Sequence, residues 1–468
     1  MMNLPEGFTE SLTKGSGATL FAGLPEALAL DPVTSVRLNG AKTPDGGWRD
    51  DTRPVGWAPA GRYLASRPAF IFDPLMHQGA YYVQDASSMI IGHVVHCLCA
   101  GADNPVSYLD ACAAPGGKTG AAIDALPSGS VVWANEYMPH RAAVLRENLA
   151  KQGYPLTIVT TGDTARFAGM EVEFDIVAAD VPCSGEGMMR KDADAVAQWS
   201  PRLVEQCAAI QREILTNIWP ALRPGGYLIY STCTFNRREN EENVRWLIDT
   251  FGAEPVEIPV DPSWGIAPAL DADFPAYRFI PGLTEGEGLF MAIVRKPGDE
   301  AFHAPAAVRD IRRKSDRRPT QKKAPQTAAL MAQGAAWLLP EWEAKIEIDG
   351  DKLIAVFSPQ IAGQHPRLEI ATVKGRDAVP SQQLALSCAY CRGAFPEVEI
   401  DRLQALRYLR GEAPELRADT PRGHILLTYR RLPLGFVKNI GNRSNNLYPR
   451  PWRIVSTIPE ALPPLPSL

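Results

Sequence analysis

What the chain lacks narrows its class first. It holds 8 Cys in 468 residues, too sparse for a disulfide framework, so a reducing cytoplasm is expected. No apolar run reaches the roughly 18 residues that a membrane-spanning helix needs, so no membrane segment is expected. Met1 to Glu10 carries no basic patch followed by an apolar stretch, so no secretory signal is read. No repeat of solenoid period occurs. The 41 Pro and 38 Gly follow no period either, which marks many connections rather than low complexity. A net positive charge is lacking: the value of −5 argues, on its face, against a nucleic-acid partner. What is present is a composition 45% apolar and 22% charged, which supports buried cores at a length that predicts about three domains. The expectation is a soluble intracellular protein.

The charge is unevenly spread. Arg309 to Lys323 carries eight basic residues and two acids, a net +6. Pro421 to Arg453 carries seven basic residues and no acid, a net +7, which leaves −18 on the remainder. A polyanion responds to potential within a Debye length of about 8–10 Å, so concentrated basic segments can outweigh a remote acidic surface. The second segment also interleaves Tyr429, Phe436, Tyr448 and Trp452, flat groups suited to stacking on unpaired bases. The plainer alternatives are a solvated linker for the first segment and a basic surface strand for the second.

Along the chain, residues 1–98 read as a small α+β domain, with Ser35-Val36-Arg37-Leu38-Asn39 as a strand presenting polar groups on one face. Residues 99–297 alternate strands and helices, the pattern of a parallel sheet covered by helices. Strands are expected at Val106–Asp110, Val131–Asn135, Leu156–Thr160, Phe174–Ala179 and Tyr227–Tyr230, the last after a Pro224-Gly225-Gly226 turn. Pro139 opens a helix that Gly153 ends. Leu203, Cys207, Ile210, Ile214 and Ile218 predict a buried helical stripe, which makes Cys207 a core residue. Asn236 and Glu239 predict an N-cap box for a helix burying Val244, Leu247 and Ile248. Residues 298–328 read as a basic linker, 329–415 as a small subdomain and 416–468 as a further one.

Asp110-Ala111-Cys112-Ala113-Ala114-Pro115-Gly116-Gly117-Lys118-Thr119 follows the first strand directly. Small residues and paired glycines let a ligand approach the backbone at a helix N-terminus. Glu136 ends the second strand, where an acid can accept from both ribose hydroxyls, and Asp163 after the third strand suits an adenine amino group. The glycine spacing fits neither a dinucleotide fingerprint nor a Walker loop, and donors for a pyrophosphate are few. The set suits a nucleoside cofactor without phosphates, such as S-adenosylmethionine.

Asp180-Val181-Pro182-Cys183-Ser184-Gly185-Glu186-Gly187-Met188 follows one strand and Ser231-Thr232-Cys233-Thr234 ends the next. Carboxyl ends of strands line the crevice of an open α/β sheet, so Cys183 and Cys233 should share a pocket with the cofactor. No His lies close to either in sequence, so Asp180 with two thiols is an incomplete metal set and no metal is expected. A thiolate adding at C6 of a pyrimidine turns the poorly nucleophilic C5 into an enamine-like carbon able to attack a sulfonium methyl. The adduct must then lose the C5 proton and expel the thiol, which calls for a second group. Spacing alone leaves open which cysteine attacks.

Three motifs together, CAAPGGK at Cys112 to Lys118, DVPCSGEGM at Asp180 to Met188 and STCT at Ser231 to Thr234, resemble the NOL1/NOP2/Sun family of RNA cytosine-5 methyltransferases. Within it the chain is most similar to the bacterial RsmF-type 16S ribosomal RNA enzymes. Tyr82 to Met89 is similar to the segment leading into the family's catalytic domain, Arg37 and Asn39 match its N-terminal signature, and Gly435 to Trp452 looks like its PUA-like RNA-binding end. The resemblance implies an α/β, Rossmann-like S-adenosylmethionine-dependent methyltransferase with an RNA-binding N-terminal α+β domain and a C-terminal PUA-like extension. It implies Cys233 as nucleophile, Cys183 as the group that promotes release, and Asp180 at the cytosine edge. Cys112, Ala113, Ala114, Pro115, Gly116, Gly117, Lys118, Glu136, Asp163 and Asp180 would hold the cofactor. The implied partner is ribosomal RNA or the small ribosomal subunit, with a monomer expected. The alternatives are a tRNA cytosine-5 methyltransferase and a non-catalytic ribosome-assembly protein. Cys388-Ala389-Tyr390-Cys391 has CxxC spacing but lacks two further zinc ligands, and His77, His93 and His96 read as ordinary interior or surface residues.

Overall fold

Alternating apolar runs fix the centre of the molecule. The computed structural model describes residues 4–13, 15–43, 52–102, 104–170, 173–298 and 325–465, so the basic stretch Arg309 to Lys323 lies outside the described residues. Parallel strands Ser107–Asp110, Val131–Glu136, Thr157–Thr161, Phe174–Asp180 and Leu222–Thr232 pair in the spatial order third, second, first, fourth, fifth. Leu289–Arg295 adds antiparallel to the fifth, and Glu254–Pro255 and Tyr277–Phe279 pair with it. The order reverses between Ser107–Asp110 and Phe174–Asp180, the switch point at which such sheets open a crevice.

Successive residues on these strands point to opposite faces. Tyr108, Val132, Ile176 and Ile229 meet helices Ile90–Leu98 and Gly117–Ala125. Leu109, Trp133, Val177 and Leu228 meet helices Pro201–Ile218 and Glu241–Phe251. Helix Pro139–Gln152 starts at its Pro and ends on Gly153 at φ 83°, the left-handed stop that glycine adopts without penalty.

Three local expectations are corrected. The fifth strand runs from Leu222, with Pro224-Gly225-Gly226 bulging inside it: Phe174 pairs with Leu222, yet Ile176 pairs with Tyr227. Helix Glu241–Phe251 is preceded by Asn240, which makes no side-chain cap, so Asn236 and Glu239 do not cap it. They bond each other in a turn before the helix, and the Glu239 carboxylate turns to a neighbouring loop. On helix Pro201–Ile218 the buried face is Val204, Cys207, Ala208, Gln211, Leu215 and Ile218. Leu203, Ile210 and Ile214 instead line a cleft, and Ile210 is 47% exposed, because the helix packs its neighbouring face on the sheet.

The N-terminal sheet orders its strands Arg53–Val55, Ala58–Leu64, Thr34–Leu38 and Tyr81–Val83, all antiparallel. The polar face of Thr34–Leu38 is buried against the central domain. Arg37 pairs with Asp124, and the Asn39 amide donates to Gly79 O at 3.0 Å and Gln152 O at 2.9 Å. Four antiparallel strands, Ala344–Asp349, Lys352–Phe357, Arg367–Lys374 and Asp377–Pro380, form the next unit. The last sheet pairs Glu397–Glu399, Gly423–Tyr429, Leu432–Asn439 and Ser444–Asn446, so it takes its first strand from residues before 416.

That last sheet is apolar on both sides. Leu426 and Phe436 join the core beneath Leu353 and Phe357, while Ile425, Leu427 and Val437 pack with Val36 and Tyr81 of the N-terminal sheet. The expectation of base-stacking aromatics is therefore corrected for three of four: Tyr429, Phe436 and Tyr448 are buried and only Trp452 is half exposed. Arg430 and Arg431 form the hairpin tip at φ 49° and 64°. No helix among the described residues is long and apolar enough to cross a membrane.

Candidate active site

The carboxyl ends of the parallel strands converge on a cleft of about 780 Å³. Asp180 ends the fourth strand, and Cys233 directly follows the fifth. Because these strands are neighbours, with Asp180 paired to Ser231, the loops behind them meet. Cys183 Sγ and Cys233 Sγ lie 3.1 Å apart and both line the cleft. The hydrogen bond to Cys233, then burial, pushes the Cys183 thiol well above its ordinary value, so it remains protonated at neutral pH.

Asp180 is held from two sides. Lys118 Nζ donates to Oδ2 and Ser231 Oγ to Oδ1, each at 2.8 Å. Burial pulls the Lys118 ammonium down, but the Asp180 carboxylate, with Cys233 and Asp85, turns the net shift upward. A fixed cation thus stands beside Asp180, within electrostatic reach of Cys233.

At the other end lies the loop Cys112 to Lys118. Gly116 sits at φ 105°, a conformation that strains any other residue, and a Cβ there would press on Leu145 of helix Pro139–Gln152 at 3.1 Å. Arg141 and Asn148 of that helix donate to Ala114 O and Pro115 O, tying the loop down. The Glu136 carboxylate is buried at the strand end, accepts from Met138 N at 2.9 Å and lies 3.6 Å from Arg141. Asp163 is exposed on the cleft wall and accepts from Ala165 N. Burial drives the Cys112 thiol up, which suits a wall rather than a nucleophile.

The lining chemistry tests the cofactor. Glu136, Asp163, Asp180, Asp192, Asp194 and Glu213 face the cleft against Arg141 as its basic side chain. Such a wall repels a pyrophosphate and favours a cationic sulfonium beside a ribose. Cys112, Glu136, Asp163, Asp180, Cys183 and Cys233 all reach this cleft, and Ala113, Ala114, Pro115, Gly117 and Lys118 line a smaller cavity adjoining it.

Two residues that the sequence reading did not assign to the site hold the sulfur loops together. Glu186, three residues after Cys183, accepts from Phe235 N at 2.7 Å and Asn236 N at 2.9 Å in the Cys233 loop. Glu239 of that loop accepts from Ser184 N at 3.0 Å and from Gln211 Nε2 at 2.7 Å. Each loop thus grips the other's backbone through a buried carboxylate. The signal available was an acid shortly after each cysteine, Glu186 three residues after Cys183 and Glu239 six after Cys233. Among the described residues no group of three or more His, Cys, Asp and Glu is placed to hold a metal ion.

The fold and this acid-walled cleft define an S-adenosylmethionine-dependent methyltransferase. Residues 99–295 match the family model described as 16S rRNA methyltransferase RsmB/F, and residues 395–454 that described as methyltransferase RsmF PUA domain. The chain is 34% identical over 388 residues to ribosomal RNA small subunit methyltransferase F of Salmonella agona, covering 80% of this chain and 78% of that protein. It is 29% identical over 475 residues to the protein of that name from Cronobacter sakazakii, covering 96% of each. NSun6 from Pyrococcus horikoshii, solved with SFG, shares the fold at a TM-score of 0.54 and 18% identity over 64% of this chain and 100% of that one. The chain belongs to the ribosomal RNA small subunit methyltransferase F family.

Proposed function

We propose that this enzyme methylates C5 of a cytidine in small-subunit ribosomal RNA through a transient bond between Cys233 and C6 of the base. The observation that carries the reading is the pair of sulfurs 3.1 Å apart in one cleft. Methyl transfer to nitrogen or oxygen needs no thiol, whereas a C5 reaction needs one group to add and one to assist its departure. The relatives' printed names supply the RNA class.

The loop Cys112 to Lys118, Glu136, Asp163 and Asp180 would hold S-adenosylmethionine, which supplies an electrophilic methyl group. Cys233 gives up its thiol proton to solvent and its Sγ forms the S–C6 bond, so the displaced C5–C6 π electrons make C5 nucleophilic. After C5 is methylated, its proton leaves to a base and the returning electron pair breaks the S–C6 bond. The protonated Cys183 is positioned to donate a hydrogen bond to the departing sulfur. Asp180, oriented by Lys118 and Ser231, keeps lone pairs free for the exocyclic amino group of cytosine. The target base must leave its stack to reach a thiol at this depth.

The test is trapping on denaturing gels. Cys183→Ala is expected to accumulate a covalent RNA complex, and Cys233→Ala to form none and lose methyl transfer. A complex in Cys233→Ala alone would exchange the roles. Absence of 5-methylcytidine from the product of the unaltered enzyme would overturn the reading.

A further inference from the structure

Beside the sulfur cleft lies a cavity of about 180 Å³ where the segment Tyr82 to Ser88 faces the cofactor loop; Gln84, Asp85, Lys118 and Asp180 line it. Gln84 comes from the N-terminal part of the chain and has no role in the chemistry above. Its backbone is fixed from both sides, because Gln84 N donates to Ser35 O and Gln84 O accepts from Ser35 Oγ. Its side chain is fixed too: Oε1 accepts from Arg37 Nε at 2.9 Å, and Arg37 is itself paired with Asp124. A guanidinium has donors and no acceptor, so the oxygen of the amide must face Arg37. The NH2 group is thereby committed to the other side.

That group has no partner among the described residues, although Gln84 is only 6% exposed. A buried amide donor without an acceptor is destabilising, and ordinary packing tends to avoid it. The amide carbon stands 3.6 Å from where a Cβ on Gly117 would lie, so the group sits against the cofactor loop. Asp85, Asp110 and Asp180 line the same cavity against Lys118 alone, which disfavours an anionic acceptor such as a phosphate. A neutral acceptor at the edge of a base fits.

We infer that Gln84 is a specificity residue whose side-chain NH2 donates to the O2 or N3 acceptor of the target cytosine, with Arg37 as the positioning residue that aims it. This rests on the C5-cytosine reading. Asp180 accepts from the amino group and Gln84 donates to the acceptor edge, whereas uracil turns an oxygen toward Asp180 and carries a hydrogen on N3, so it can satisfy Gln84 through O2 at most. The other source of an acceptor here is the methionyl carboxylate of the cofactor, and the experiment separates the two.

Gln84→Glu is the informative substitution, because a carboxylate still accepts from Arg37 but cannot donate at neutral pH. Methyl transfer to 16S ribosomal RNA transcript is expected to fall about tenfold or more in kcat/KM. The S-adenosylmethionine Kd should stay within about twofold and the melting temperature should be retained, since the Arg37 contact persists. Lowering the pH protonates the new carboxyl and should narrow the deficit, which a merely structural defect would not do. Wild-type efficiency in Gln84→Glu, or a loss that tracks weaker cofactor binding, overturns the inference. Should the unaltered enzyme itself make no 5-methylcytidine, the C5 reading fails instead, and the two failures are distinguishable.

Discussion

The sulfur cleft and the C-terminal hairpin both carry concentrated, chemically suggestive residues, and the fold treats them oppositely. At the cleft, polar and nucleophilic groups sit just beyond strand ends, where a parallel sheet has nothing left to cover them. In the hairpin, the aromatic groups lie within or beside strands sandwiched between two apolar cores, so Tyr429 and Phe436 are consumed by packing. The lesson is positional. A reactive residue after a strand is free to act, whereas an aromatic inside a two-sided strand is structural whatever its charged neighbours.

The sharpest way to break this contrast is Phe436→Ala. As a core residue it should cost about 3–5 kcal/mol in chemical denaturation, with RNA affinity per folded molecule unchanged. A loss of RNA affinity at full stability would return Phe436 to the binding face. Next in size, Glu239→Gln sets an amide donor among Ser184 N, Gln211 and Asn236, all of which donate to the native carboxylate. We expect a destabilisation of about 1–3 kcal/mol and slowed methyl transfer, measured on the same preparation. Unchanged turnover would show that the sulfur loops hold their spacing without it. The smallest effect is expected from the exposed pair Arg443 and Arg450. Their joint change to Gln should leave melting unaltered and make the salt dependence of RNA binding shallower, by up to about 1–2 in log–log slope. An unaltered slope would remove both from the RNA face.

Much of the catalytic domain was legible because its signals are local. Strand runs, Pro139 and Gly153, and the two cysteine motifs each act within a few residues, and parallel pairing then brings Asp180, Cys183 and Cys233 together. What escaped depends on contacts distant in sequence. The choice of face on helix Pro201–Ile218 turns on a shift of one residue, since Leu203 and Val204 are equally apolar and only the sheet decides which is covered. The partners of Glu186 and Glu239 lie about 50 residues away across two loops. The aromatic hairpin misleads because rings interleaved with basic residues suggest a base-stacking surface, while the second apolar face, supplied by the N-terminal sheet, leaves no local signal.

The hairpin tip carries a consequence of its own. Two-residue turns of this hand ordinarily use Asn-Gly, and a β-carbon in the left-handed region costs roughly 1–2 kcal/mol per residue. With Arg430 and Arg431 there, the chain forgoes an easier bend and keeps two guanidinium groups at its apex. Placing Asn-Gly at 430–431 should therefore make the protein sturdier, and the thermal margin so gained would measure how much rigidity this corner forgoes to keep its charge.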